Sequence, residues 1–256
     1  SLASISAGLA ALASGFIANI DFVYVAWVSA GTAVLALIIS LFIIEARAHT
    51  EKIESNIFSH LKEAFIEFKK NAKLRNLTIT STLDWGLGGF ANQFQPAFIA
   101  TLWPVWAIGI AKSFESVAYA ATGWFSGKIL NRFGNEKWLY WTSFIRSGVG
   151  LFSYGFPTIA SPALLAAEEA LVAPIHAAQN DLMQQEFTEK QRATMASLNA
   201  LAGNLFFGLC SIALGYVADK IGPGQTLLFS EILLLPIIFY YFRIFKTKRN
   251  FKKLTS

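Results

Sequence analysis

Four polar or small residues recur at helical spacing inside one apolar segment of the chain. They are Asp84, Gly88, Asn92 and Gln95, within about 80° of one another on a helix of 3.6 residues per turn. Pro96 follows directly, so the pattern predicts a bend or a loosened turn nearby. The carboxylate and the two amides can bind a substrate or a proton. They can equally form hydrogen bonds between helices, and the spacing leaves both interpretations open.

A second apolar segment carries a carboxylate, an imidazole and an amide on one helix face. His176 and Asn180 follow Glu169 by seven and eleven residues, so the three side chains lie on one face of a helix. An imidazole and a carboxylate can both bind and release protons. The alternative for His176 is a hydrogen bond that satisfies it within the bundle. Glu168 and Glu169 are adjacent and point in different directions, so no more than one of them needs a functional role.

Four further charged residues are predicted to form ion pairs. Lys112 and Glu115 are three residues apart and can neutralise each other on one helix face. Glu115 with Tyr119 is also a candidate for a cavity wall. We expect Arg146 and Glu231, each inside an apolar segment, to take part in structural ion pairs.

No catalytic, metal-binding or cofactor-binding pattern is present. His49 and His60 lie outside the apolar segments, and there is no HExxH, GxSxG or phosphate-binding glycine loop. An integral membrane enzyme acting on lipids would need clustered His, Asp or Cys at one interface, and Cys210 is the lone cysteine. We therefore expect no enzyme activity, no metal and no cofactor. Any transport would be driven by an ion gradient rather than by ATP hydrolysis on this chain.

The elements that hold these residues are predicted to be membrane helices. Hydrophobic residues make up 54% of the 256 residues and charged residues only 14%, against about a quarter in soluble domains. Eight apolar segments approach or exceed the ~20 residues that span a bilayer as a helix. They are residues 2–20, 22–44, 77–102, 105–130, 138–156, 160–183, 193–217 and 226–245. We therefore expect an all-α polytopic membrane protein.

Lysine and arginine concentrate on one side of these segments. Basic residues follow the second, fourth, sixth and eighth segments, whereas the opposite side carries only Lys220. By the positive-inside rule this places the C-terminus in the cytoplasm and excludes nucleic acid as the partner of the basic charge. Residues 53–68 alternate apolar and charged side chains at helical spacing, which predicts an amphipathic helix on the cytoplasmic membrane surface.

A short basic turn joins the fourth and fifth segments. It contains Gly127, Asn131, Arg132 and Gly134 in the order G-x-x-x-N-R-F-G. This resembles the signature cytoplasmic loop of the major facilitator superfamily of transporters, although Asn135 and Glu136 stand where further basic residues are usual. We expect Gly127 to let its helix approach a neighbour closely.

An internal repeat indicates how the chain fits that family. Gly8 and Gly15 align with Gly208 and Gly215 at an offset of 200 residues, which equals six segments. The superfamily has two six-helix halves related by an axis along the membrane normal. The resemblance therefore implies a truncated major facilitator fold with eight transmembrane helices, the fifth to twelfth of a twelve-helix member. Residues 1–45 would end the N-terminal half, 46–76 form the linker, 77–246 the C-terminal half and 247–256 a basic cytoplasmic tail.

The resemblance also implies roles for the polar residues, because the seventh and tenth helices line the central cavity in this family. We expect the substrate cavity to include Asn92, Gln95, His176 and Asn180. Proton coupling is assigned to Asp84, Glu115 and Glu169. The implied function is secondary active transport of a small molecule by alternating access, with proton-coupled efflux of an amphipathic compound favoured. The alternatives are a metabolite uptake symporter or uniporter, or a non-transporting membrane receptor or scaffold.

The remaining expectations concern surroundings. The partners would be the small-molecule substrate, protons or another coupling ion, and membrane lipids, with the full-length protein a monomer. We expect the protein to lie in the plasma membrane, with the inner membrane of a bacterium favoured.

Overall fold

The computed structural model describes residues 2–42, 66, 68–187 and 192–254. These residues fold entirely as helices and connecting turns, without strands. The predicted amphipathic helix of residues 53–68 lies almost wholly outside the described residues.

The described part of the chain forms eight helical rods, and several of them are interrupted. The first rods are α1 (Leu2–Ile20) and α2 (Phe22–Ser40). The third comprises α3 (Ala72–Leu83), a π-helical turn (Asp84–Gly88) and α4 (Gly89–Ile99). Two long rods follow, α5 (Val105–Phe133) and α6 (Asn135–Gly155). The sixth comprises α7 (Ser161–Glu168), a 3₁₀ turn (Glu169–Leu171) and α8 (Val172–Gln185). The last two are α9 (Arg192–Ile221) and the pair α10 (Pro223–Leu234) and α11 (Pro236–Leu254).

Glycine and proline set the breaks between these elements. Gly134 and Gly222 have φ of 81° and 83°, a left-handed conformation that allows one-residue connections between α5 and α6 and between α9 and α10. One continuous helix was predicted for the eighth rod, but the rod is broken at Leu235. The break occurs because Pro236 has no N–H and its ring clashes with the preceding turn. Pro174 acts in the same way on the 3₁₀ turn that precedes it in the sixth rod.

The packed core belongs to the six rods from α3 to α11. Its largest fully buried side chains include Phe90, Phe98, Leu139, Leu182 and Tyr241. α6 packs against α7, α8, α10 and α11, and α9 packs against α3 and the π turn. α2 has no buried residue and contacts α1. The apolar core therefore holds six rods together as one bundle.

α1 joins this bundle through a glycine seam with α5. A Cβ on Gly15 would lie 2.8 Å from the Cα of Gly109, and a Cβ on Gly109 would lie 2.5 Å from the carbonyl oxygen of Ala11. The Ser113 hydroxyl donates a hydrogen bond to the carbonyl of Gly8. In lipid the hydrophobic effect does not hold helices together, so close backbone approach of this kind stabilises their association through van der Waals contacts.

The outer surface of the bundle is apolar. Trp124, Leu209 and Ile212 are 76%, 67% and 77% exposed, as suits side chains that face lipid. Within the described residues, four helical stretches are long and apolar enough by themselves to cross a membrane: Leu2–Ile20, Phe22–Ser40, Thr194–Ile221 and Pro223–Ile244. The third and sixth rods are interrupted, so none of their helical pieces is long enough by itself to cross a membrane.

Candidate functional site

A polar cavity opens between the third, sixth and seventh rods. Its volume is about 400 Å³, and an adjoining cavity of about 350 Å³ extends toward the Gln185 end of α8. The two cavities share Ser81, Trp85, His176 and Gln179. Both volumes fall in the range of about 300–1,000 Å³ that is typical of small-molecule sites.

The π turn places the third rod against α9 and aims its polar face into the larger cavity. A Cβ on Gly86 would lie 2.2 Å from the Phe206 ring, so only glycine permits this approach. The Trp85 indole N–H donates a hydrogen bond of 2.9 Å to the side-chain oxygen of Asn204 on α9. The predicted loosened turn is thus confirmed as a π turn, an element that occurs frequently at functional sites.

The predicted cavity residues are divided by the structure between the cavities and a neighbouring ion pair. Asn92 and His176 line the larger cavity, whereas His176 and Asn180 line the smaller one. Gln95 lines neither, because its amide oxygen accepts a hydrogen bond from Lys112 and the residue is 8% exposed. The π turn adds a residue to the helical period and rotates Gln95 away from Asp84.

The predicted proton-coupling residues occupy three different environments. Asp84 accepts an ion-pair contact of 3.2 Å from the Nη1 of Arg146. Glu115 forms the predicted pair with Lys112, at 2.8 Å, and is 5% exposed. Glu169 lines the larger cavity and makes no hydrogen bond or ion pair with any described residue.

Arg146 is the centre of an ion cluster at the wall of the larger cavity. Its Nη1 contacts Asp84, and its Nε donates a hydrogen bond of 2.9 Å to Glu168. The structural pair expected for Arg146 is therefore confirmed. The one expected for Glu231 is not, since this carboxyl makes no ion pair within the described residues. Glu168 and Glu169 diverge as predicted, one toward Arg146 and the other toward the cavity.

His176 connects the sixth rod with the third and the fourth. Its Nδ1 lies 3.2 Å from the Tyr119 hydroxyl, and its Nε2 lies 4.0 Å from the Oδ2 of Asp84. The contact with Tyr119 is the hydrogen bond within the bundle that the sequence offered as the alternative to a functional role for His176. It also places the ring in the wall of both cavities.

Several lining residues had no sequence signal strong enough to select them. The larger cavity is also lined by Phe207 and Asn204 on α9, by Trp85 in the π turn and by Gln93 on α4. Of these residues, only the amides Asn204 and Gln93 gave any signal, because an amide inside an apolar segment is unusual. Aromatic residues are too common in this chain to be informative.

The signature turn lies at the end of α5 opposite the glycine seam with α1. Asn131 and Arg132 belong to the last turn of α5, and Gly134 forms the one-residue connection to α6. The prediction that Gly127 permits a close helix contact is wrong within the described residues, since no atom there lies within 4 Å of a Cβ placed on it. Gly123, one turn earlier, lies in ordinary contact with Ala173.

Among the described residues no group of three His, Cys, Asp or Glu is placed to hold a metal ion. A cavity with charged and amide side chains in its wall, between rods with an apolar outer surface, is typical of a multi-pass membrane protein that binds small molecules.

Comparison with known families agrees with this class. The profile of the Major Facilitator Superfamily matches residues 1–209, and the chain belongs to this superfamily. A search of curated proteins found no match. Family membership supports a secondary transporter with the all-α major facilitator fold, a class that carries small molecules across a membrane.

Proposed function

We propose that the chain forms the fifth to twelfth helices of a twelve-helix, proton-coupled transporter that works by alternating access. The observation that carries this proposal is the pair of polar cavities of about 400 and 350 Å³ inside a bundle with an apolar surface. Amides and ionisable groups in a membrane interior are costly, and they usually line a substrate or ion pathway.

The proposed division of the chain into halves is supported by one contact. α1 and α2 would complete an N-terminal half, residues 46–76 would link the halves, and residues 77–246 would form the C-terminal half. The glycine seam between Gly15 and Gly109 supports this, because it is the contact through which the first two helices join the six-rod core. Residues 247–256 would be a basic cytoplasmic tail, in a plasma membrane protein that functions as a monomer.

The lining of the larger cavity suits an amphipathic substrate. Trp85 and Phe207 offer flat apolar faces, while Asn92, Gln93 and Asn204 offer hydrogen-bonding groups beside them. A compound with one apolar and one polar part can satisfy both kinds of surface. Efflux is the direction that we favour for such compounds, since the smaller cavity extends toward the Gln185 end of α8, where the basic side of the chain lies.

Glu169 is the best supported of the three candidate coupling residues. Asp84 and Glu115 are each held by a cation, at 3.2 and 2.8 Å respectively, whereas Glu169 faces the cavity without an ion pair among the described residues. Binding of a proton at Glu169 would remove a negative charge from the cavity wall. Proton and substrate would then compete for one carboxylate, which is the requirement for antiport.

The test uses the full-length transporter in proteoliposomes with an imposed pH gradient, an internal pH dye and ethidium as an amphipathic fluorescent probe. We expect ethidium movement that depends on the gradient and is accompanied by proton flux. Glu169→Gln should abolish the coupled flux. Glu186→Gln is the matched control, because it neutralises a carboxylate that is bonded to Lys73 and Asn71 outside the cavity.

The outcomes separate the alternatives. Ethidium movement without proton flux would replace coupled transport by uniport. Equal coupled flux in the wild type and Glu169→Gln would remove Glu169 from the mechanism. No movement of ethidium or of a panel of metabolites by folded protein would favour a receptor or scaffold.

A further inference from the structure

Glu231 on α10 lies inside the bundle, away from both cavities. Its carboxyl carbon would be 2.6 Å from a Cβ placed on Gly150, so the carboxyl occupies the space that a side chain at position 150 would fill on α6. It makes no hydrogen bond or ion pair with any described residue. A carboxyl in such a position inside a membrane protein needs a charge partner, water or a bound proton.

A narrow polar passage is lined both by Glu231 and by residues of the larger cavity. Its volume is about 50 Å³, and it shares Gly88, Asn92, Arg146 and Glu169 with that cavity at one end. At the other end it reaches Glu231 and Leu234, which also line a pocket of about 30 Å³. Since one water needs roughly 10–15 Å³ by this kind of measure, both spaces can hold water.

The charges around Glu231 do not balance if every carboxyl is ionised. Arg146 supplies one positive charge, and both Asp84 and Glu168 already contact it. Glu231 is thus a third carboxyl facing one guanidinium, and its unpaired charge is relieved most simply by a proton. The ionisable groups that face it are Arg146 and Tyr154 on α6, Asp84 in the π turn, Glu168 on α7, Glu169 in the 3₁₀ turn and Tyr241 on α11. From α4 and α9, the described residues lining these two pockets include no ionisable side chain.

We propose that Glu231 is a proton-binding site of the transport cycle, loaded from the substrate cavity through the passage beside Glu169 and Arg146. This inference rests on the proposed proton-coupled function. A proton from cavity water forms an O–H bond on the Glu231 carboxylate and leaves by the same route. Once deprotonated, Glu231 competes with Asp84 and Glu168 for Arg146. Proton release at α10 would therefore loosen the contact of α6 with the π turn, which holds one wall of the cavity.

The first test detects the bound proton without any substrate. Infrared spectra of the purified full-length transporter would be recorded from mildly acidic to mildly basic pH, in H₂O and in D₂O. We expect one carbonyl band of a protonated carboxylic acid to be absent from Glu231→Gln and present in Glu169→Gln and Glu186→Gln. The band should shift in D₂O, and Ala91→Leu, which fills the passage, should slow that shift.

Identical carboxyl spectra in the wild type and Glu231→Gln would overturn the proposal. So would a band that never exchanges with D₂O, because the site would then have no route to the cavity. A band lost from Glu169→Gln instead of Glu231→Gln would assign the proton to Glu169 and also overturn it. Each variant must elute as a monodisperse, helical protein before its spectrum is compared.

A second test separates this proposal from the proposed function. Glu231→Gln should lower proton-driven ethidium transport in proteoliposomes about tenfold, within the usual range of coupling effects. Exchange driven by an ethidium gradient should persist. Gly150→Ala should likewise lower proton-driven transport and leave exchange driven by the ethidium gradient, because its methyl group displaces the Glu231 carboxyl. Gly148→Ala is the matched control, since a Cβ there meets no described atom within 4 Å.

The two failures are distinguishable. If the wild type moves ethidium without proton flux, the proposed coupling is wrong, whereas the infrared band still decides whether Glu231 binds a proton. If the wild type is coupled and Glu231→Gln remains fully coupled, the proposed function stands and the role of Glu231 is refuted.

Discussion

Arg146 should be the ion-pair residue whose loss destabilises the bundle most. Its guanidinium joins Asp84 of the π turn and Glu168 of α7 to α6, at 3.2 and 2.9 Å. Replacement by glutamine in Arg146→Gln keeps a polar side chain of similar length but removes the charge. Two carboxylates then remain in the interior without their cation.

The size of the effect follows from burial. The side chains of Arg146, Asp84 and Glu168 are 23%, 15% and 13% exposed, so solvent screens the interaction far less than it screens a surface pair. Removal of one partner from a buried ion pair costs about 3–5 kcal/mol, mainly because the remaining charge is uncompensated. We expect Arg146→Gln to lower the free energy of unfolding by about that amount.

The assay is reversible unfolding of the full-length protein by sodium dodecyl sulfate in mixed micelles, followed by tryptophan fluorescence. The triple variant Asp84→Asn/Arg146→Gln/Glu168→Gln should recover most of the loss, because no uncompensated charge remains. A free energy of unfolding for Arg146→Gln within about 0.5 kcal/mol of wild type, the range typical of surface changes, would refute the reasoning. A triple variant as unstable as the single one would also contradict it.

Two further predictions concern the glycine seam and the Gln185 end of α8. Gly109→Val should detach α1 from α5, since even a Cβ would lie 2.5 Å from the Ala11 carbonyl, and crosslinking between the two helices in the full-length protein should be lost. Gly148→Val, at an open position, is its control, and unchanged crosslinking in Gly109→Val would contradict the seam. Glu186 should make stability pH-dependent: partial burial alone would raise the pKa of its carboxyl, but the hydrogen bonds from Lys73 and Asn71 outweigh burial and lower the pKa. A lowered folded-state pKa stabilises the protein above the usual carboxyl value of 4.5, and this contribution disappears as pH falls through the folded-state pKa. The stability difference between wild type and Glu186→Gln should therefore be constant near neutral pH and shrink in acid, whereas a constant difference at all pH values would exclude the assignment.

The helices could be predicted from hydropathy because membrane spans have a length set by the bilayer. The prediction for residues 2–20 coincides with α1, and the one-residue turn at Gly134 lies where the signature motif was found. The interruptions were harder to predict. A π turn changes the helical register by one residue, and the distortion that accompanies Pro174 depends on how the neighbouring helices pack.

The site could be predicted only at the level of which rods face inward. Asn92, Glu169 and His176 line the larger cavity, and they lie on the two rods that the family resemblance placed at the central cavity. Gln95 was assigned to that cavity with them but bonds to Lys112, because the register shift at the π turn lies between Asp84 and Gln95. Ion-pair partners in three dimensions, such as Glu168 with Arg146, have no spacing rule and appear only after the rods are packed.

We propose that the larger cavity opens alternately to the two sides of the membrane. Ser81 lines both cavities, and its replacement in Ser81→Cys exchanges one atom, in a background where Cys210 and any other cysteine of the full-length protein are replaced. The measurement is the reaction rate of this thiol with a membrane-impermeant reagent added to either side, with and without a pH gradient. Alternating access predicts reaction from both sides, with the gradient raising the rate on one side and lowering it on the other. Reaction from one side alone, at a rate that the gradient does not change, would contradict alternating access.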